Sequence, residues 1–385
     1  MRYFSFFLFF TVFFGVYLAG NYYIYIRGLQ ALPAGYWLKI FYPYIFAFLT
    51  LSFIVSRFTG YTSLYSINHV LTWIGSFWLA AAVYFLFSIV IIDLIKLLNV
   101  LFHFLPVSNS MEYGKLKLYA FSFIIIVVIF LLTGGYINAI HPRLKVLNID
   151  VAKISSEKKL LKLAVVSDIH LGTLVGKNRL KGLVRIVNAQ NPDIILLAGD
   201  ILDEVQEPIL REDIGHNLKS FNARLGVFAI PGNHEYIGGY VKAEKYINSL
   251  CIQLLRDSMV EINNQFVLIG RDDATSFRFS GRKRKPLKEL AAGIDLSKPI
   301  ILMDHQPFKL QDAVDCNIDL QISGHTHDGQ FWPFNYITNA VYELSCGYKK
   351  KGNTHFYVSS GFGTWGPPIR IGTKPEIVII NLYLK

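Results

Sequence analysis

The sequence predicts an N-terminal α-helical transmembrane region followed by a larger α/β domain. The first observation is composition: of 385 residues, 52% are hydrophobic and only 17% are charged, whereas soluble globular proteins carry about 25% charged residues. The second is the uneven distribution of the charged residues, since residues 1–140 contain seven of the 38 Lys and Arg residues and two of the 27 Asp and Glu residues. Beyond residue 140, short apolar runs alternate with helical patterns, as is typical of layered α/β domains.

Four apolar stretches in residues 1–140 are long enough to span a membrane, which takes about 20 residues. They are roughly Phe4–Ile26, Tyr36–Val55, Val70–Ile92 and Tyr119–Ile140. The one charge within them is Lys39, close enough to an end for its ammonium to reach the interface. We therefore expect a multi-pass protein of the cell membrane, with the lipid bilayer as a partner and residues 1–140 as the membrane region.

The flanking charges do not determine the orientation of this region. An even number of spans places both termini on the same side of the membrane. That side has four Lys and Arg residues and the other side has five, so the positive-inside rule does not decide the orientation. No ionisable residue near the middle of a span marks a transport path. The region is interpreted as an anchor, with lipid access or sensing as the alternative. The apolar stretch Leu94–Pro106 either extends the third helix or lies in the interface.

The charged segment 141–160 is interpreted as a connector, and residues 161–385 as one domain with a single large core. Helical spacing predicts helices over Asn178–Gln190 and Pro208–Ala223. Apolar runs bounded by turn residues predict strands at Leu161–Val166, Asp193–Ala198, Gly226–Ile230, Ile252–Leu255, Phe266–Ile269, Pro299–Met303, Leu320–Ser323, Phe356–Ser359 and Glu376–Leu384.

Five of these strands end in side chains that can bind metal, and ligands in such folds sit outside the carboxyl ends of strands. Asp168 and His170 are two residues apart, as are His325 and His327, so each pair can share one face of an extended segment. Mixed imidazole, carboxylate and amide donors suit Mn, Fe or Zn. Two such divalent ions need a bridging ligand, for which Asp200 is the natural candidate because Gly199 leaves room beside it. The five segments are Ser167–His170, Gly199–Asp200, Gly232–Glu235, Asp304–His305 and Gly324–His327.

These motifs resemble the calcineurin-like metallophosphoesterase family over about Lys145–Leu384. The resemblance implies an α/β metallophosphoesterase domain of two packed mixed β-sheets flanked by helices, with a dinuclear metal site. It implies that His234 is a catalytic group near the leaving oxygen rather than a ligand. It also implies that the first metal is bound by Asp168, His170, Asp200 and His327, and the second by Asp200, Asn233, His305 and His325.

Within the family, the sequence is most similar to a bacterial membrane-linked branch. The pattern Ser-Asp-x-His-Leu-Gly is kept at Ser167–Gly172, and a late Val-Ser-x-Gly-x-Gly is kept at Val358–Gly363, followed by Arg370. Asp328 stands where the branch has the first glycine of a Gly-Gly-Gln sequence, which adds a carboxylate near the metals. The roles of Asp328 and Arg370 are left open. Asp203 or Asp304 could orient a histidine through its second nitrogen.

The expected function is that of a membrane-anchored, metal-dependent phosphoric ester hydrolase. Its substrate would be a phosphodiester or pyrophosphate, in a lipid or lipid-linked nucleotide. The alternatives are a nuclease and a non-catalytic metal-binding membrane sensor. Beyond residue 140, 31 basic and 25 acidic residues give a net charge of only +6 without a long basic stripe, so no nucleic acid is expected as a partner. No inferred ligand is missing, which argues against the sensor. The basic cluster Arg282–Lys285 is expected to be a solvated loop.

Overall fold

The computed structural model describes residues 2–60, 65–107, 110–153 and 160–385, with residues 2–10 and 65 described by their backbone alone. The contacts within the chain divide it into two compact units, Met1–Gly135 and Tyr136–Lys385. We call them the first and the second unit.

The first unit consists of long helices that cover the four predicted apolar stretches apart from Tyr36 and Trp37, which precede the second helix. They are α1 (Arg2–Ala31), α2 (Leu38–Thr59), α3 (Tyr65–Phe102) and α4 (Met111–Ile140), whose last residues belong to the second unit. Among the described residues, three segments are long and apolar enough to cross a membrane: Leu38–Thr59, Ser66–Phe102 and Met111–Ile140. The first predicted span lies in α1 and falls partly outside the residues with described side chains. The apolar stretch Leu94–Pro106 extends α3 as far as Phe102.

Polar side chains join the helices of the first unit. The Asn21 Oδ1 atom of α1 accepts hydrogen bonds from Thr50 Oγ1 of α2 at 3.1 Å and from Trp78 Nε1 of α3 at 2.8 Å. A Cβ atom on Gly75 would lie 2.5 Å from the backbone nitrogen of Phe53, so α2 and α3 cross at a distance that only glycine allows. Hydrogen bonds and small residues of this kind are how helices associate in membranes.

The second unit begins with strand β1 and alternates strands with short helices. Its strands are β1 (Arg143–Val151), β2 (Leu160–Val166), β3 (Ile194–Leu197), β4 (Val227–Ala229), β5 (Gln253–Leu254), β6 (Ser258–Ile262), β7 (Phe266–Gly270), β8 (Ile300–Met303), β9 (Leu320–Ser323), β10 (Gly347–Lys351), β11 (Thr354–Val358) and β12 (Glu376–Leu384). Its helices are α5 (Lys177–Asn188), α6 (Glu207–Glu212), α7 (Asn233–Gly238), α8 (Tyr240–Ser249), α9 (Ser276–Ser280), α10 (Leu287–Leu290), α11 (Leu310–Asp315) and α12 (Phe334–Val341).

The strands form two mixed six-stranded sheets, as the resemblance implied. Their orders are β1-β12-β2-β3-β4-β5 and β10-β11-β9-β8-β7-β6. Successive side chains of a strand point to opposite faces. In β2, Leu163 and Val165 join the core that also contains Ile301 and Met303 of the second sheet, while Ala164 packs in the core beneath α5. Both faces of the central strands are therefore covered, which accounts for their continuous apolar runs.

The segment predicted as a connector contains a strand of the first sheet. All nine residues of β1 pair in parallel with β12, and residues 154–159 of the predicted connector lie outside the described part. Two further strands, β6 and β10, had no predicted counterpart. All three lie at sheet edges, where one side lacks a partner and charged residues such as those of β10 discourage aggregation. Their mixed composition therefore differs from the continuous apolar composition of a buried strand.

The helix predicted over Pro208–Ala223 is divided. It becomes α6 and a 3₁₀ helix at Ile214–Ser220, with Asp213 between them at φ 48°. A left-handed residue of this kind ends an α-helix, so the apolar pattern continues while the helix does not.

Candidate metal centre

The segments predicted to bind metal meet at one edge of the two sheets, where backbone hydrogen bonds join them. The Asp168 amide donates to the Gly199 carbonyl at 3.0 Å, and the His170 amide donates to the Asp200 carbonyl at 3.0 Å. The Gly324 amide donates to the His305 carbonyl at 2.9 Å. The loops that follow β2 and β3, and those that follow β8 and β9, are thus held in register.

One group of potential ligands consists of Asp168, His170 and His327, all buried. The Nε2 atoms of His170 and His327 lie 3.0 Å apart, and the Nε2 atom of His327 lies 3.5 Å from Asp168 Oδ1. This matches three of the four ligands expected for the first metal.

A second group consists of Asp200, His305 and His325. The Nε2 atom of His305 lies 3.0 Å from Asp200 Oδ2, and the Nδ1 atom of His325 lies 2.8 Å from the side-chain oxygen of Asn233. Asp200 Oδ2 is also 3.9 Å from His170 Nε2, so this carboxylate lies between the two groups. The structure therefore brings all seven predicted ligands together, while their role as ligands stays a prediction.

The backbone around these ligands is not extended, and the expected shared face of an extended segment is wrong. Five of the ligands have a left-handed backbone, which costs non-glycine residues about 1–3 kcal/mol each and is concentrated at functional sites. Tight turns after the strands, rather than strand alternation, point these side chains at a common centre. The five are Asp168 at φ 53°, His170 at 50°, Asp200 at 51°, His325 at 74° and His327 at 49°.

Two glycines allow the groups to approach each other. A Cβ atom on Gly199 would lie 2.5 Å from the Nδ1 atom of His305, and one on Gly232 would lie 2.1 Å from Asp200 Oδ1. Neither position tolerates a side chain. The expected lack of bulk at Gly199 is thus required by the His305 ring.

His234 lies in the first turn of α7, next to Asn233 at the start of the helix. Its amide donates to Asp200 Oδ1 at 2.9 Å, its Nδ1 atom lies 3.4 Å from Asp203 Oδ1, and its ring centroid is 4.5 Å from that of His170. Burial by itself would lower the pKa of His234, but the carboxylates of Asp200 and Asp203 outweigh it and raise the pKa to about 9. A buried imidazolium beside the ligands is the result.

Of the two aspartates expected to orient a histidine, only Asp203 lies beside one. Asp304 is paired with two arginines instead: its carboxylate lies 2.8 Å from Arg271 Nη1 and 3.0 Å from Arg284 Nη1. Arg282, Lys283 and Lys285 of the basic cluster are exposed in a loop, as expected. Arg284 alone turns inward to the buried carboxylate of Asp304. It helps to fix the backbone just before His305.

Glu235 is a structural residue that sequence reasoning did not assign. Its buried carboxylate accepts hydrogen bonds from the amides of Asp200 at 3.2 Å, Leu202 at 2.8 Å and Gly232 at 2.7 Å. Burial, with the nearby charge of Asp200, raises its pKa to about 7. Its position in the first turn of α7, where a glutamate can reach back to the backbone before the helix, was the available signal.

Arg370 and Asp328 lie behind the first group. The fully buried Arg370 donates through Nη2 to the carbonyls of Gly361 at 3.2 Å and Gly363 at 2.7 Å, and through Nη1 to the His327 carbonyl at 3.4 Å. Burial lowers its pKa to about 10. Asp328 forms a side-chain hydrogen bond with Thr373, and burial raises its pKa. Among the described residues, Asp328 belongs to neither ligand group.

The donor atoms fit divalent metal ions. His305 Nδ1 lies 2.7 Å from the Ala198 carbonyl, which accepts a hydrogen, so the neutral ring presents a lone pair at Nε2. That atom is buried and has no aligned hydrogen bond with any residue that the structure describes, a costly state unless a cation is bound. Nitrogen and oxygen donors in this mixture suit Mn, Fe and Zn.

Comparisons with known proteins agree with the fold and the site. The family model described as calcineurin-like phosphoesterase matches residues 161–329. An uncharacterized metallophosphoesterase from Aquifex aeolicus is 32% identical over 224 residues, 58% of this chain and 85% of that protein. Another from Helicobacter pylori strain J99 is 33% identical over 259 residues, 66% of this chain and 67% of that protein.

A transmembrane protein with metallophosphoesterase domain from Danio rerio is 33% identical over 275 residues, 68% of this chain and 62% of that protein. Each of these similarities covers more than half of this chain. Together with the two mixed sheets, they show that the chain belongs to the calcineurin-like phosphoesterase family of metallophosphoesterases.

Proposed function

We propose that this protein is a membrane-anchored phosphoesterase that hydrolyses a phosphodiester or pyrophosphate bond in a lipid or lipid-linked nucleotide. The family supports the class of reaction. The observation that supports an amphiphilic substrate is a group of exposed apolar side chains beside the candidate metal centre.

We call these side chains the apolar rim. Helix α12 has no buried residue, and soluble surfaces rarely expose large contiguous apolar patches unless they bind something. The Trp365 ring lies 6.5 Å from that of His234, and Tyr342 at the end of α12 lies 6.2 Å from His325. The rim is between 39% and 64% exposed and consists of Phe308, Trp332, Tyr336, Ile337, Val341 and Trp365.

Asp168, His170, Asp200 and His327 would bind one ion, and Asp200, Asn233, His305 and His325 the other. Two such ions supply Lewis acidity and neutralise the charge of the phosphoryl group.

His234 would donate its proton to the leaving oxygen. The Asp203 carboxylate, 3.4 Å from the Nδ1 atom of His234, orients the ring. The apolar rim would hold the acyl part of the substrate while the phosphoryl group lies at the centre.

The test compares a lipid-linked nucleotide with bis-p-nitrophenyl phosphate, using the full chain in detergent with Mn, Zn or Mg. Ile337→Ser should lower kcat/KM for the lipid substrate by roughly tenfold, because burying an isoleucine contributes about 1.5–3 kcal/mol. The soluble diester should be hydrolysed at the wild-type rate. Met259→Ser, at an exposed position on the edge strand β6, is the matched control.

Equal effects of Ile337→Ser on the two substrates would contradict the role of the rim. Two bound metals per chain without turnover of either substrate would instead favour the non-catalytic sensor. Preferential cleavage of DNA or RNA would favour the nuclease.

A further inference from the structure

The first unit contains a cavity of about 290 Å³ between its four helices. Its walls are mainly apolar and include Ile24, Phe46, Trp78, Ile89, Phe121 and Ile125. Four charged residues also line it: Arg27 of α1, Asp93 and Lys96 of α3, and Lys117 of α4. Each of them lies at or beyond the end of a predicted span, so the sequence does not reveal that they share one cavity.

The charges in this cavity do not cancel. Arg27 forms an ion pair with Asp93, whose Oδ1 atom is also 3.8 Å from Lys96 Nζ. Lys117 Nζ lies 5.4 Å from the centroid of the Tyr113 ring. Three cations with one carboxylate leave a net charge of +2 beside apolar walls. An anion bound among these cations would lower the repulsion between them.

The packing that shapes the cavity is specific. A Cβ atom on Gly28 would lie 2.1 Å from the Tyr42 hydroxyl oxygen and 3.3 Å from the Phe121 ring, so α1 contacts α2 and α4 there only because residue 28 is glycine. The rings of Tyr25 and Tyr42 stack beside it at 5.5 Å. The cavity is therefore bounded by fitted contacts between helices.

The four charged residues of the cavity lie near helix ends, at the depth in the membrane where lipid head groups are found. Arg27 is near the C-terminal end of α1, Asp93 and Lys96 are in the last third of α3, and Lys117 is in the second turn of α4. Because consecutive helices cross the membrane in opposite directions, these positions fall at the same end of the bundle. Phosphates lie at that level, just outside the hydrocarbon core.

We propose that this cavity binds an anionic phospholipid of the surrounding bilayer. Arg27, Lys96 and Lys117 contact its phosphate, and part of an acyl chain lies among the apolar walls. The net positive charge complements a phosphodiester head group, and the apolar walls complement the chain attached to it. This is a binding site separate in its residues from the candidate metal centre, and it involves no hydrolysis.

The test uses the full-length chain in detergent and measures lipid binding by native mass spectrometry. Phosphatidylglycerol should bind at least tenfold more tightly than phosphatidylcholine with the same acyl chains. Lys117→Gln should weaken phosphatidylglycerol binding about fivefold, as expected when one lysine near an anionic head group is neutralised. The matched control is Lys115→Gln, an exposed residue of the same helix outside the cavity lining, which should leave binding unchanged.

A second variant tests the acyl part of the site without changing a charge. Ala120→Trp places an indole in the cavity and should abolish phosphatidylglycerol binding, whereas Ala47→Trp, at an exposed position of α2, should not. Circular dichroism and size-exclusion chromatography show whether either variant still folds.

Three results would overturn the proposal. They are equal binding of phosphatidylglycerol and phosphatidylcholine by the wild-type chain, equal loss in Lys115→Gln and Lys117→Gln, and displacement of the lipid by inorganic phosphate at the same concentration. The last would identify a site for a free anion rather than for a lipid.

Discussion

The Nε2 atom of His305 faces the Oδ2 atom of Asp200 at 3.0 Å, and it forms no aligned hydrogen bond within the described part of the chain. The other ring nitrogen of His305 is occupied by the Ala198 carbonyl, 2.7 Å away. In its neutral form the ring would therefore direct a lone pair at a carboxylate. Two acceptors at this distance repel each other unless a proton or a metal ion is bound between them. A proton and a metal ion therefore compete for the Nε2 atom of His305.

This competition predicts that metal affinity rises with pH. Burial by itself would lower the pKa of His305, but the charge of Asp200 holds it well above its ordinary value, so near pH 7 the metal-free ring carries a proton that a cation must displace. Affinity for Mn²⁺ or Zn²⁺, measured by chelator competition, should increase from pH 6 to pH 8. His305→Gln should release about one proton fewer per metal bound in calorimetry. A pH-independent affinity would contradict this account.

Asp200→Asn should weaken both metal sites together, because its carboxylate lies within 3.9 Å of His170 in one group and 3.0 Å of His305 in the other. Elemental analysis of the purified variant should find fewer than two metals per chain, with activity reduced to match. Asp150→Asn makes the same chemical change at an exposed position paired with Lys385 and should have no effect. Two metals per chain with wild-type turnover in Asp200→Asn would exclude the bridging role.

His234→Ala should reduce turnover by about 10²–10⁴-fold, the usual contribution of a positioned general acid, while metal content stays unchanged. The loss should be smaller for p-nitrophenyl esters, whose leaving group needs little protonation. His216→Ala, at an exposed histidine paired with Asp213, is the control. Loss of metal would identify His234 as a ligand. A loss independent of the leaving group would indicate stabilisation of the phosphoryl oxygens instead of proton donation.

The last turn of α4 is bonded to the rest of the second unit. The side chain of Asn138 donates to the carbonyls of Arg370 at 2.9 Å and Thr373 at 2.7 Å. The carbonyl of the fully buried Ala139 accepts from Arg179 at 2.8 Å. These contacts lie just before residue 141, where the charged segment begins.

A fragment of residues 136–385 should therefore fold more stably than one of residues 141–385. Loss of the two Asn138 bonds alone should lower the free energy of unfolding by about 2 kcal/mol, at about 1 kcal/mol each, as measured by urea denaturation. Asn138→Ala in the longer fragment should reproduce most of the difference. The longer fragment should hydrolyse a soluble diester but lose activity on a lipid substrate. Equal stability of the two fragments would show that these bonds contribute little.

The sequence by itself determined the features that depend on local pattern. The scarcity of charge before residue 140 indicated the membrane helices, because the hydrocarbon core excludes charge over a fixed length. The buried strands β2, β3, β8 and β9 were recognisable because both of their faces are covered and their apolar runs are continuous. The polar residues after them marked the candidate centre, since parallel strands end at one edge of a sheet.

Only the tertiary structure decided features that depend on partners distant in sequence. Each of the edge strands β1, β6 and β10 is stabilised by hydrogen bonds to a neighbouring strand. Their own composition is too mixed to predict a strand. Left-handed turns at residues such as Asp168 persist because bonds to the next strand's loop hold them. Asp304 forms ion pairs with Arg271 and Arg284 rather than a hydrogen bond with a histidine, because a buried carboxylate needs a nearby cation to offset its desolvation.

The cavity of the first unit has the same origin. Arg27, Asp93 and Lys117 lie on three different helices, and each is unremarkable at the end of its own span. Helix packing, set by glycines at the crossings and by apolar surfaces, brings them to one place. Charged residues at the ends of different helices thus line one cavity, and the number of charges along the sequence does not predict this.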